Sequence, residues 1–192
     1  MQPEDIASGI PGHARTTCSA WQLRTRALHF GRTPALMGIV NVTPDSFSDG
    51  GSFYSPQAAI DHALRLEDAG ADLIDIGGES TRPYSHSVSS DDELRRVVPV
   101  FEALMGRVQC PLSIDSSKSR VALAAIDRGA EIINDVTGLC GDPRMLHVAV
   151  DSGVGVCAMH MQGTPQTMQD APTYVDVVAE IHQYLLDRQK AI

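Results

Sequence analysis

Ala71-Asp-Leu-Ile-Asp-Ile-Gly-Gly-Glu-Ser80 is a short apolar run that passes directly into small and polar residues. Four other runs repeat the arrangement: Ala35-Leu-Met-Gly-Ile-Val-Asn41, Pro111-Leu-Ser-Ile-Asp115, Ala130-Glu-Ile-Ile-Asn-Asp135 and Val154-Gly-Val-Cys-Ala-Met-His160. Each has the length of one strand, and the stretch behind it has room for one helix. Strands that alternate with helices run parallel, so their polar C-terminal ends meet on one rim, where βα proteins keep their active sites. The expected fold class is α/β, of the (β/α)8 barrel type. A closed barrel takes roughly 250 residues, so five units amount to about five-eighths of one. The alternative is a five-stranded open sheet wound on both faces.

The helix signals fit this alternation. Ser55-Pro56 reads as an N-cap with proline at the first helical position, and Gly70 closes that segment. Ser90-Asp-Asp-Glu93 reads as a capping box, with Leu94, Val97, Val98, Phe101, Leu104 and Val108 on one face and Pro99 expected to interrupt and kink the helix. Further helices are expected from Ser119 to Arg128, from Asp142-Pro143 to near Gly153, and from about Pro172. The last should turn Tyr174, Val177, Val178, Ile181 and Leu185 inward. Trp21 to Phe30 has the alternation of a short strand or hairpin, and residues 1 to 18 read as a disordered tail.

The 192 residues carry a formal charge of −9, which argues against nucleic acid or an anionic membrane as the main partner. No apolar run approaches the roughly 20 residues of a membrane span, and the acidic N-terminus lacks a signal-peptide core. Cys18, Cys110, Cys140 and Cys157 have no C-x-x-C spacing and read as buried free thiols in a reducing cytoplasm.

Several groups stand where chemistry is expected. Asn41 ends its run, so its amide can reach a ligand or a metal-bound water; otherwise it starts a turn, with Asp45 and Asp49 solvated in the loop. Ser80, Thr81 and Arg82 follow two glycines and suit a phosphate or carboxylate, the alternative being a helical turn with a solvated arginine. Asp115, with either Asn134 or Asp135 by side-chain parity, can read a ring bearing adjacent N–H donors and acceptors. Lys118 is either a phosphate contact or a surface residue, and His160 is either packed or functional. No H-E-x-x-H, G-x-S-x-G or Walker loop is present.

Met37-Gly-Ile-Val-Asn-Val-Thr-Pro-Asp-Ser-Phe-Ser-Asp-Gly-Gly51 and Asp75-Ile-Gly-Gly-Glu-Ser-Thr-Arg-Pro83 resemble the two signatures of the dihydropteroate synthase family. Ile114-Asp115, Ile132-Ile-Asn-Asp135 and Met159-His-Met-Gln-Gly-Thr-Pro165 follow in that family's order. The resemblance implies a partial pterin-binding barrel over residues 19 to 192. It also implies an enzyme that joins 4-aminobenzoate to 6-hydroxymethyl-7,8-dihydropterin diphosphate and releases diphosphate in folate synthesis. By the same resemblance Asn41 binds Mg2+ and Asp115 and Asn134 bond the pterin. Thr81 and Arg82 serve the diphosphate and aminobenzoate region, while Asp45 and Phe47 belong to a loop that closes over the aminobenzoate. Such chemistry needs no strong base, because an aromatic amine is neutral at pH 7; it needs help for the departing diphosphate and a stabilised cation-like carbon, a part assigned to Asp45.

The sequence departs from the family in three places. The loop Arg82-Pro-Tyr-Ser-His-Ser-Val88 is bulkier than usual, and Ser116 stands where threonine is commoner. The family's sixth-strand Asp-Pro-Gly-Phe-Gly-Phe-Gly-Lys region, seventh-strand lysine and eighth-strand Arg-x-His have no counterpart up to Ile192. The expectation is therefore two exposed sheet edges, with a homo-oligomer or a missing C-terminal half. Two other readings stay open: a catalytically incompetent pterin-binding fragment, and a pterin-dependent methyltransferase barrel.

Overall fold

The structure is a computed structural model, and it describes residues 18–43, 56–80 and 87–192. The tail expected over residues 1 to 18 falls, but for Cys18, outside them. The chain begins with an antiparallel hairpin, β1 (Ala20–Gln22) and β2 (Ala27–His29). Five parallel strands follow: β3 (Met37–Asn41), β4 (Leu73–Gly77), β5 (Leu112–Asp115), β6 (Ala130–Asp135) and β7 (Gly155–Ala158). Each lies inside the run that predicted it. The helices are α1 (Pro56–Asp68), α2 (Ser90–Leu104), α3 (Ser119–Ile126), α4 (Met145–Ser152) and α5 (Val177–Ala191).

The strand order β3-β4-β5-β6-β7 decides between the two architectures. Crossovers between parallel strands are right-handed. When every crossover also steps to the next position in the same direction, all helices fall on one face. Doubly wound sheets need a reversal of order, and none occurs here. The helices pack side by side as this requires, α1 on α2, α2 on α3 and α3 on α4. The sheet is an arc of the (β/α)8 type, with β3 and β7 at its margins.

The helix-facing side is apolar. Val40, Ile76, Ile114, Ile133 and Val156 are in register across the five strands. They pack with Ala59, Val97, Phe101, Val121 and Ile126 in one core. Full burial of each large aliphatic or aromatic side chain contributes about 1.5–3 kcal/mol. On the other face the hairpin plugs the N-terminal end of the arc: Leu23, 1% exposed, packs on Leu73 and Ile132. Gly155 makes room for it, since a Cβ there would lie 2.6 Å from Leu23 Cδ2. The turn is tied down by Glu131, which accepts from Thr25 N at 2.8 Å and from the Thr25 hydroxyl.

Some local expectations need correction. The cap of α2 is Ser89, whose Oγ accepts from Asp92 N at 3.1 Å, and not Ser90. Glu93 is no capping-box acid, because it is fully buried and held by an ion pair described below. Pro99 lies within α2, which continues to Leu104 without ending there. The helix α5 starts at an Asp176 cap and buries no residue; Val177, Val178 and Leu185 are exposed. Its pattern is amphipathic, but β7 is a sheet margin and offers it no second wall. The four cysteines are free as expected, yet Cys18 and Cys140 are exposed while Cys110 and Cys157 are only partly buried. Among the described residues, no helix is long and apolar enough to cross a membrane.

Candidate active site

Parallel register aligns the strand tips. Asn41, Gly77, Asp115, Asn134 and Cys157 stand side by side, one from each strand. Residues in register share a face, and neighbouring strands lie about 4.8 Å apart. The second row down on this face holds Ile39, Asp75, Ser113, Ile132 and Gly155. Three residues expected at the site, Asn41, Asp115 and Asn134, thus come together in one row opposite the helices. The parity argument also settles the neighbour. Asp135 points to the other side, where its carboxylate accepts from Thr137 N at 2.8 Å, Thr137 Oγ1 at 2.7 Å and Leu139 N at 3.2 Å.

The row and the residues beneath it are acidic and short of donors. Asp75 is 4% exposed, and its Oδ2 accepts from Asn134 Nδ2 at 3.0 Å. The other oxygen, Asp75 Oδ1, is buried without a partner, as is Asp115 Oδ1. Burial pushes Asp75 above the ordinary carboxylate range, against the pull of the Ser113 hydroxyl and the Asn134 amide. The Asp115 carboxyl is pushed up to about 8, by burial first and then by the charges of Asp75, Glu93, Asp135 and Glu79. Burial, then Asp75 and Asp115, also raises the Cys157 thiol. A buried oxygen without a donor costs on the order of 1–3 kcal/mol, so a ligand rich in N–H groups gains by supplying one.

Gly77 occupies its place in the row because a Cβ there would press to 3.3 Å of Asp115 Oδ2. Gly78 is tighter still: a Cβ would sit 2.8 Å from Val97 Cγ1 and 2.9 Å from Glu93 Cγ. Above them, Lys118 bridges Glu79 and Glu93, reaching Glu93 Oε2 at 2.6 Å. Burial works against the ammonium charge, and the two carboxylates more than offset it, so the Lys118 pKa rises. Lys118 is therefore not a solvated surface residue in this structure. It is a strut that fixes the loop after β4 to the start of α2. A cleft of about 300 Å³ opens beside this strut and is lined by Glu79, Ser80, Asp115, Ser116, Lys118 and Thr137. A larger hollow of about 440 Å³, lined by Trp21, Gly155, Leu185 and Ile192 among others, lies between the hairpin and α5, away from the carboxylates.

Asp45, Phe47, Thr81 and Arg82 fall outside the described residues. His160 packs against the Tyr184 ring, centroids 4.9 Å apart at 84°, and takes no part in the row. Sequence reasoning overlooked Asp75. The signal was available: a carboxylate between Ile74 and Ile76, in the middle of a strand buried along its whole length.

Comparison with known proteins gives a consistent result. Residues 37–192 match the family model described as Pterin binding enzyme. The dihydropteroate synthase of Escherichia coli K12 is 50% identical over 155 residues, which cover 81% of this chain and 55% of that protein. The chain thus spans about half the length of the curated relatives it matches. A Yersinia pestis dihydropteroate synthase, solved with a sulfonamide drug complex, superposes with a TM-score of 0.81 at 46% identity, over 90% of this chain and 62% of that one. The Xanthomonas albilineans dihydropteroate synthase with 4-aminobenzoic acid gives 0.79 at 49% identity, over 90% and 60%.

Proposed function

Because the chain belongs to the pterin binding enzyme family, we propose that it serves the dihydropteroate synthase reaction, joining 4-aminobenzoate to 6-hydroxymethyl-7,8-dihydropterin diphosphate with release of diphosphate. One observation carries the reading. Asp115 and Asn134 stand in adjacent register above Asp75, with two buried carboxylate oxygens lacking donors. An aminopteridine edge supplies such N–H donors.

In this reading Asp115 and Asn134 hold the ring so that its exocyclic methylene faces out of the arc. The C–O bond to diphosphate breaks with its electron pair leaving on oxygen, and the amine nitrogen bonds to the carbon and gives up a proton. Asp45 stabilises the positive charge that develops on the carbon, Phe47 covers the aminobenzoate, and Thr81 and Arg82 serve the diphosphate and aminobenzoate. Asp45→Asn is expected to lower turnover roughly 10²-fold; unchanged turnover removes Asp45 from this role. Among the described residues no three His, Cys, Asp or Glu side chains converge as a metal cage. The exposed Asn41 amide at the tip of β3 nevertheless suits Mg2+, which takes most of its positions from water and substrate phosphates. Asn41 would hold it through Oδ1, and the ion, when bound, offsets charge on the departing diphosphate. The four free thiols support a reducing, cytoplasmic setting.

A second reading, ring binding without turnover, draws on Lys118. Its charge is already committed to Glu79 and Glu93 and leaves nothing for a diphosphate. A diphosphate-release assay with Mg2+ and both substrates, run beside pterin-binding calorimetry, separates the two. Release supports the synthase, binding alone supports the second reading, and the absence of both release and binding overturns the two readings together.

A further inference from the structure

Asp75 lies one step below the row and meets it through the Asn134 amide. A carboxamide has a donor end and an acceptor end, and an ionised carboxylate only accepts. Contact with Asp75 at 3.0 Å therefore fixes the Asn134 NH2 end toward the sheet floor and turns its carbonyl away from Asp75. Asp115 is the register neighbour of Asn134. With the amide held this way, the pair offers two acceptors side by side, the Asn134 carbonyl and the Asp115 carboxylate once a ring N–H takes the place of its proton.

We propose that Asp75 is a positioning residue of the ring site, which sets the direction of the Asn134 amide and so makes the site select heterocycles that present adjacent N–H donors. The inference rests on the pterin-binding reading above and deepens it. Asp75 touches no reacting atom. It acts through Asn134 by the hydrogen bond and on Asp115 by its charge. The charges that act on Asp115 come from Asp75 and Glu79 of β4 and its loop, from Glu93 of α2 and, from the far side of the sheet, from Asp135 of β6, while the Cys157 thiol of β7 in turn feels the charge of Asp115. Lys118, the nearby cation, is held by Glu79 and Glu93. Removing the Asp75 charge then makes the Asp115 proton easier to lose.

The test uses the whole chain and two probes, 6-hydroxymethylpterin and its 2-oxo counterpart, in which an amino donor is replaced by a carbonyl acceptor. In Asp75→Asn the amide at position 75 can donate as well as accept, so Asn134 is free to reverse. The parent should prefer the pterin, and the substitution should reduce that preference by about tenfold or more, because each reversed amide leaves a ring N–H facing a donor. Carboxyl NMR of the ligand-free Asp75→Asn chain should show Asp115 titrating at lower pH than in the parent. In ligand-free Asp75→Ala, the hydrogen-bonded proton of the Asn134 side-chain NH2 should move to its solvent-exposed shift. The Asp115 shift reports only the loss of the Asp75 charge, whereas a merely structural role would leave the probe ratio unaltered. An unchanged ratio, or an Asn134 proton unmoved by Asp75→Ala, overturns the proposal. If the parent binds neither probe, the pterin reading fails instead, and the Asn134 proton in ligand-free Asp75→Ala still decides whether Asp75 holds Asn134.

Discussion

Replacing Asp115 with asparagine should make the ligand-free chain more stable, and increasingly so as the pH rises. In the folded chain the carboxyl titrates at about 8, against 3.8 for the unperturbed group. A folded-state value raised above the unfolded one means that the native state binds the proton more tightly. Between the two values the unfolded chain has already lost that proton, so the stability of the parent falls as pH rises toward 8 and then levels off. At 1.36 kcal/mol per pH unit, the loss between pH 5 and pH 8 has an upper limit of about 4 kcal/mol. Relaxation and water entry at a partly open mouth reduce this to roughly 2 kcal/mol. Asparagine fills nearly the same space and carries no charge, so this part of the pH dependence disappears. Urea unfolding at pH 5 and pH 8 measures the difference directly. In a thermal scan ~2 kcal/mol corresponds to about 4–8 °C at this chain length. The same substitution removes the charge and one of the two acceptor oxygens at this position and should weaken pterin binding. Parallel pH profiles for parent and variant would show that Asp115 is not held in a donor-poor environment, and the site argument would lose its main support.

Lys118→Met should lower stability by about 3–5 kcal/mol, because it leaves the fully buried Glu93 carboxylate without its cation. Adding Glu93→Gln should restore part of the melting temperature, and no loss in the single variant would mean that the bridge does not form. The margins β3 and β7, with Ile39 58% exposed on the concave side, should drive self-association or a need for a partner chain. Sedimentation showing a stable monodisperse monomer with a cooperative melt would contradict this.

The sheet was readable in the sequence because each strand announces itself twice, by an apolar run and by the polar residue that ends it. That Asn41, Asp115 and Asn134 share one row was readable for the same reason, since each stands at or near the end of its apolar run. The order of the strands was not readable, and it is order alone that separates an arc from a doubly wound sheet. Residues whose meaning depends on a distant partner were misjudged. Glu93 sits three places after a serine and imitates a capping box, but its partner is 25 positions away at Lys118. In the sequence Lys118 reads equally as a phosphate contact or a surface residue, because nothing there shows that Glu79 and Glu93 reach it. The helix α5 has the pattern of a buried helix, yet a pattern states only which face would be covered if a wall were present.

The two faces of the sheet explain why an acidic row can persist inside a folded chain. On the convex side, Val40, Ile76, Ile114 and Ile133 are sealed under helices, and the buried carboxylates there are supplied with partners, Asp135 by Thr137 and Leu139 and Glu93 by Lys118. On the concave side, Leu23 closes only the lower end, so the apolar floor stops where Asp75 and Asp115 begin. Stability is thus concentrated on one face and at one end, and the donor-poor carboxylates stand where little packing depends on them. The strut of Lys118, Glu79 and Glu93 then holds the Lys118 charge on two other carboxylates. Had Lys118 turned to the row, the empty site would be more stable and a ligand would have less to gain. In the proposed reading, what makes the row costly in the free chain also makes it selective, because the missing donors are left for an incoming ring to provide.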